Sequence, residues 1–383
     1  PAHKPLKTRM VTIPDPFLKV WWRFMNNDDK RVVQKHIGHL PSLLEMNAWP
    51  GLIGTMVKFW DSENMVFRFG EVELRPTIEE ILISYESVAM CNKRKRHPDT
   101  DLLNPITWDF AKIKEKLSLV KAEWMDKLPG PNIPFRKLYY RFGRARAYEK
   151  HEDEFVSKEK WKEARPLAFA ICLLGTMVFP QGPKYTIHPS VFMVTHAIFY
   201  GVDYKTSTKY YTLAPMILAD IYRALDKCQN GERFFQGCNL ILQWWMMRHL
   251  IKTHNPKEPD PLRRSDELHS HDWWLYHNRC NKTGGESFWY PRLRGLREED
   301  VQWSIDSLVV TKNMVVRTEK VPYLVFAGLR GTRPYAPGRV LRQLGGKQEL
   351  PQIADMRKFV TDHENGRVAF AEDMHRMWRS QRV

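Results

Sequence analysis

The chain has 383 residues, 43% of them hydrophobic and 27% charged, and it holds 14 tryptophans. That content excludes a wholly disordered polymer, because disordered segments lack the large side chains needed to bury a core. Lysine and arginine outnumber aspartate and glutamate by 60 to 44, and the net charge of +16 favours polyanionic neighbours: nucleic acid, an anionic membrane face or an acidic protein. A solvated basic surface would carry the same surplus, so charge alone assigns no function.

In chain order, residues 1–17 read as an extended leader, rich in proline and basic side chains, ahead of one domain over 18–379 with a lobe break near 252–268. Helical signals run through LKVWWRF and LPSLLEMNAWPGLIGTMVKFW. In MVFRFGEVEL, Phe67 and Phe69, then Val72 and Leu74, alternate around Gly70-Glu71. This predicts a hairpin with glycine first in the turn. Thr77 and Glu80 form a capping box ahead of a helix carrying Ile78, Ile81, Leu82 and Tyr85. After the polar loop CNKRKRHPDTDLLNP, the residues Phe110, Ile113, Leu117, Val120 and Trp124 recur at helical spacing, which predicts one amphipathic helix halted by PGPN.

A second helical block begins near Ser157 and runs to Pro180, with Pro166 marking a kink or a fresh start. Its uncharged stretch, Leu167 to Phe179, falls short of the roughly 20 residues of a membrane span. LAPMILADIYRALDKC places Ile217, Ile221 and Leu225 on one helical face. CNLILQWWMMRHLI is apolar on nearly every side and belongs deep in a core. SLVVTKNMVVR and VPYLVFAGL predict strands, followed by GRVLRQLGG and a last helix around Phe370, Met374 and Met377. The expected class is mainly α: a compact multi-helix domain with a small β-hairpin and a few short C-terminal strands.

Catalytic signatures are sparse. The five cysteines (Cys91, Cys172, Cys228, Cys238 and Cys280) form no CxxC pair, which points to a reducing compartment rather than a disulfide framework. Cys172 and Cys238 lie in apolar helices and read as inert thiols. HSHDWWLYHNRC gathers His269, His271, His277 and Cys280, but its spacing fits no ordinary zinc finger or hydrolase. A zinc-dependent enzyme built on these four is therefore the most remote reading; packing of Trp273, Trp274 and Tyr276 explains the cluster more simply. No phosphate loop, nucleophile elbow or dinucleotide fingerprint occurs.

Two basic segments remain. FRKLYYRFGRARAYEK interleaves Arg136, Lys137, Arg141, Arg144 and Arg146 with Tyr139, Tyr140 and Phe142. Such cations neutralise phosphates while aromatic faces stack on bases, which suits single-stranded nucleic acid. A helix with aromatics inward and arginines outward has the same pattern. Arg330, Arg333, Arg339 and Arg342 extend the nucleic-acid reading. The run Lys93, Arg94, Lys95, Arg96 reads as a nuclear-import signal or as a solvated loop.

Several blocks carry a family resemblance. VKFWDSENMVFRFGEVELRPTIEEI (Val57 to Ile81) resembles the opening of the plant mobile domain, in its retroelement-associated subgroup. LLGTMVFPQ, LAPMILADIYRALDKCQNGERFFQGCNLILQWWMMRHL, DVQWSIDSL and VPYLVFAGLRGTRPYAPGRVLRQLGGKQELP are similar to its later blocks, in the same order, and cover most of the chain from Leu18 to Trp378. Thr318-Glu319 stands where many relatives have Cys-Gly. The resemblance implies a nuclear protein of transposable-element origin, active in element silencing and genome maintenance, with a phosphoprotein phosphatase among its partners. The family's other label, aminotransferase-like, implies pyridoxal chemistry, yet no lysine here sits in a recognisable cofactor setting. No catalytic residue, metal, cofactor or small-molecule substrate is expected. The resulting expectation is a non-catalytic interaction module, with direct nucleic-acid binding through 135–148 as the alternative.

Overall fold

The computed structural model describes residues 11–85, 110–200, 213–250, 285–304, 323–349, 357 and 360–362. Their architecture is mainly α, with three small antiparallel sheets. The Lys93–Arg96 run, the His269–Cys280 cluster, the proposed lobe break, the SLVVTKNMVVR strand and the last helix all lie outside the described residues.

The chain enters as an extended segment pinned at its start. Asn239 accepts from the Thr12 amide (3.0 Å) and donates to the Thr12 carbonyl (3.1 Å), so residues from Val11 onward pack against the body rather than trailing from it. Helix α1 (Pro16–Phe24) follows directly, with proline in its first turn and Asp15 accepting from the Phe17 amide. Helix α2 (Asn27–Ile37) is capped by Asn26, whose side chain accepts from the Asp29 amide at 2.7 Å. Its few buried residues, Val33 and Ile37, gave little periodicity to read.

A short 3₁₀ segment (Leu40–Glu45) leads to α3 (Pro50–Lys58), then to strands β1 (Trp60–Asp61), β2 (Val66–Phe69) and β3 (Val72–Leu74). The predicted hairpin is there, pairing Phe67 with Leu74 and Phe69 with Val72. Gly70 turns it at φ +55, where a side chain would also meet the Leu296 carbonyl at 2.5 Å. Thr77 and Glu80 then exchange the two expected capping bonds (3.0 and 3.1 Å) at the head of α4 (Ile78–Tyr85).

The helix expected over 110–124 is corrected. α5 (Phe110–Lys116) stops before Ser118, which takes a left-handed φ of +57. Leu119 then pairs with Phe155 across an isolated bridge, and the Val120 amide donates to the Glu154 carbonyl. Leu119 is therefore buried (5%) while Val120 faces water (59%), the reverse of the helical register. Pro166 does not restart its helix: α6 (Lys158–Leu173) runs through it as one α-helical span and continues as a π turn over Leu174–Val178. The carbonyl left without an amide at that point belongs to Lys162, on the exposed side. Strands β4 (Ile133–Pro134) and β5 (Thr186–Ile187) pair beside this helix, and α7 (Pro189–Tyr200) follows.

Helices α8 (Ala214–Gln229) and α9 (Asn239–His249) form the centre. All eleven residues of α9 are buried, as its all-round apolar sequence predicts. Helix α10 (Glu286–Arg294) packs on α3 through Trp289, which stacks on Trp49. The C-terminal sheet is β6 (Leu324–Ala327), β7 (Gly331–Tyr335) and β8 (Thr361–Asp362); β7 escaped the sequence reading because Gly331 and Pro334 argue against a strand.

Polar side chains on α9 fasten other segments to it. Gln243 accepts from the Trp49 amide (2.7 Å) and donates to the Asn47 carbonyl (2.8 Å). His249 places Nδ1 2.7 Å from the Gln302 carbonyl and Nε2 3.0 Å from Glu80, with both ionisable side chains fully buried. A carbonyl only accepts, so Nδ1 carries a proton. Glu80 also accepts from the Thr77 amide, the Trp245 indole (2.8 Å) and Gln343 (3.2 Å). Burial pushes the Glu80 carboxyl up, but His249 and these donors together hold it below its ordinary value. Glu80 and His249 therefore form a fully buried hydrogen-bonded pair at the foot of α9.

Candidate interaction surface

The segment 135–148 is not one helix. A short helical turn (Phe135–Leu138) passes into a π turn over Tyr139–Gly143, and a second short turn covers Ala147–Lys150. The π turn seats Gly143 so close to the rings of Trp21 and Tyr139 that an added side-chain carbon would lie 2.5–2.6 Å from both. Phe135, Tyr139 and Phe142 are buried; Tyr139 packs edge-on to Phe17 at 5.3 Å.

The cations of this segment fall into two groups. Arg141 is only 8% exposed and is gripped by both carboxylate oxygens of Glu154. It also lies 4.3 Å over Trp124 and donates to the Lys137 carbonyl (3.1 Å). Arg136 lies 3.7 Å over the Phe17 ring, with Asp15 at 3.5 Å. Lys137, Arg144 and Arg146 are exposed, and none has a carboxylate partner among the described residues. Arg144 rests 4.3 Å over Tyr140, which is half-buried.

The C-terminal arginines are all engaged. Arg330 meets Asp220 at 2.9 Å, and Arg333 meets Asp226 and Asp362 at 2.8 Å each. Arg339 chelates Glu73 with two 3.0 Å bonds, and Arg342 chelates Glu298 with two of 2.9 Å. Asp220, Arg223 and Asp226 stand three residues apart on one side of α8, facing this sheet. Burial pushes the Asp362 carboxyl up, but Arg333, Lys227 and Arg223 outweigh that and hold it low. Burial dominates at Asp226, which is raised despite Arg333. These side chains clamp the sheet to α8, and their charges are already answered.

A second feature went unread in the sequence. Helix α1 buries Leu18 and Trp21, yet Val20 and Phe24 point outward at 42% and 84% exposure, in line with half-buried Phe17 and with Ile13 (56%) just before the helix. Phe17, Val20 and Phe24 are spaced as a second helical stripe, about 100° around from the buried one, and Ile13 precedes them in the extended segment. Isolated exposed apolar residues are ordinary, but an aligned row marks contact surface. The legible signal was a short helix with apolar residues on two faces.

Among the described residues no cluster of three or more His, Cys, Asp or Glu side chains is placed to hold a metal ion. Among them, too, no helix is long and apolar enough to cross a membrane. Burial pushes the Cys172 thiol far up and the Cys238 thiol up to about 12, so neither is a thiolate nucleophile near neutral pH.

A family model described as "Domain of unknown function (DUF7745)" matches residues 18–382. The chain belongs to the DUF7745 family. The match begins within α1 and takes in every later element, so this DUF7745 domain includes Val20 and Phe24 of the exposed stripe, the segment 135–148 and the clamped sheet. No curated protein and no solved structure matches the chain.

Proposed function

We propose that this chain is a non-catalytic protein-interaction module of the plant mobile type, of transposable-element origin and acting in the nucleus. The ordered sequence blocks from Val57 to Pro351 support the kinship, and with it a compact single domain and a phosphoprotein phosphatase as one class of partner. The observation that carries the interaction reading is the α1 stripe: Val20 and Phe24 stand in water on a helix whose other face is buried through Trp21 and Leu18, with exposed Ile13 just ahead of it.

Direct nucleic-acid binding is the second reading, favoured by exposed Lys137, Arg144 and Arg146 and by the +16 charge. It is weaker because Arg141, Arg330, Arg333, Arg339 and Arg342 are each held by a carboxylate. The test is binding of labelled single- and double-stranded DNA and RNA to the full chain across a salt series. Interaction-module function predicts no saturable binding at about 100 mM salt, where exposed charges are largely screened beyond about 10 Å. Tight binding with a steep salt dependence, abolished by charge reversal at Lys137, Arg144 and Arg146 together, would replace this reading with the second.

A further inference from the structure

We infer that the α1 stripe is a docking site for an acidic amphipathic helix from another protein. The inference rests on the interaction-module reading and names the chemistry of the partner. Its apolar component is the row Ile13, Phe17, Val20 and Phe24. Phe17 to Phe24 spans two helical turns, roughly 10 Å, which matches the i, i+3, i+4, i+7 anchors of a partner helix laid along it.

The charges around the stripe select the sign of the partner. Lys19 and Arg23 share a single carboxylate, Glu45, at 2.8 and 3.2 Å. Arg136, stacked on Phe17, has Asp15 as its one carboxylate partner among the described residues, and Asp15 already caps α1. At the other end Lys30 donates to the Arg23 carbonyl (3.1 Å) and lies over Trp22, with no carboxylate partner among the described residues. Arg144 lies 4.3 Å over Tyr140, whose neighbour Tyr139 packs edge-on to Phe17 of the stripe. The rim therefore carries an excess of positive charge beside an apolar strip.

That sign argues against the alternative occupants. Residues 1–10 (PAHKPLKTRM) hold two lysines and an arginine and no acid, so this chain's own leader would place like charge on the rim. A second copy would bring the same basic rim and another +16. An acidic helix with one apolar face meets both components at once.

The test uses the full chain and three labelled synthetic helices of about 14 residues, or roughly four turns. The first carries Leu and Phe on one face and Glu elsewhere. The second replaces Glu by Lys, and the third replaces the apolar residues by Ser. In fluorescence anisotropy at about 100 mM salt, the acidic–apolar helix should bind at least about tenfold tighter than either control. Phe24→Ser and Val20→Ser should each weaken it by about tenfold, the loss expected for a central apolar anchor. Arg136→Glu should weaken it and flatten its salt dependence. Phe24 is exposed enough that its variant keeps the fold, which an unchanged circular dichroism spectrum and Tm verify.

Equal binding of the acidic–polar helix, binding indifferent to Phe24 and Val20, or no binding of the acidic–apolar helix overturns the inference. If the basic–apolar helix binds best and still depends on Phe24, the acidic partner is wrong while the interaction module stands. If anionic vesicles bind through Phe24 and the peptides do not, the stripe is a membrane contact and both readings fall.

Discussion

Helices α1 and α9 are both apolar on more than one side, and they end in opposite situations. α9 is enclosed on every side, and its polar residues Asn239, Gln243 and His249 each hold a distant segment. α1 is enclosed on one side only, so its second apolar face meets water. The difference teaches that all-round apolar sequence has two outcomes. Where it is surrounded, the few polar residues specify what surrounds it. Where it is not, the leftover apolar residues point to a partner.

The largest effect that would break this contrast is expected at the buried contact between α4 and α9. Glu80→Ala breaks the buried Glu80–His249 pair and leaves the Trp245 indole without its acceptor, and should destabilise the protein by about 3–5 kcal/mol in chemical denaturation; a loss under about 1 kcal/mol would show that α9 does not depend on its polar contacts. The same pair gives a pH dependence. The Glu80 carboxyl is held below its ordinary value, so its contribution is complete above the ordinary carboxylate range and disappears as pH falls through the depressed folded value. The urea midpoint should therefore fall on acidification, and Glu80→Gln should shrink that fall. Asn239→Ala removes both bonds to Thr12 and should cost about 1–3 kcal/mol, with faster proteolysis ahead of α1 as an independent sign. The smallest effect sharpens the contrast from the other side. Phe24→Ser should move stability by less than about 0.5 kcal/mol, because the ring packs against little in the folded chain.

Local chemistry was legible in the sequence where both partners lie within a few residues. The Thr77–Glu80 box and the Gly70 hairpin are of this kind, and so is the burial of α9, which follows from composition alone. The helix over 110–124 failed because Ser118 turns the chain and Leu119, not Val120, takes the inward place opposite Phe155. Which arginines are available to a ligand was not legible at all. Arg339 finds Glu73 at 266 residues' separation and Arg333 finds Asp226 at 107, and no local pattern announces such pairs. Of the segment 135–148, spacing showed the mixture of rings and cations. Only the fold separates Arg141, bound by Glu154, from Lys137, Arg144 and Arg146.

The buried cluster around His249 is assembled from three places in the chain: Glu80 from α4, His249 itself from α9, and the Gln302 carbonyl from the segment after α10. No one of these can be left out without stranding a charge or a polar group in the interior. Fragments that part residue 80 from residue 302 should consequently fail to fold alone and should regain structure when mixed. A nick in the connecting chain would be survived more readily than the loss of either end.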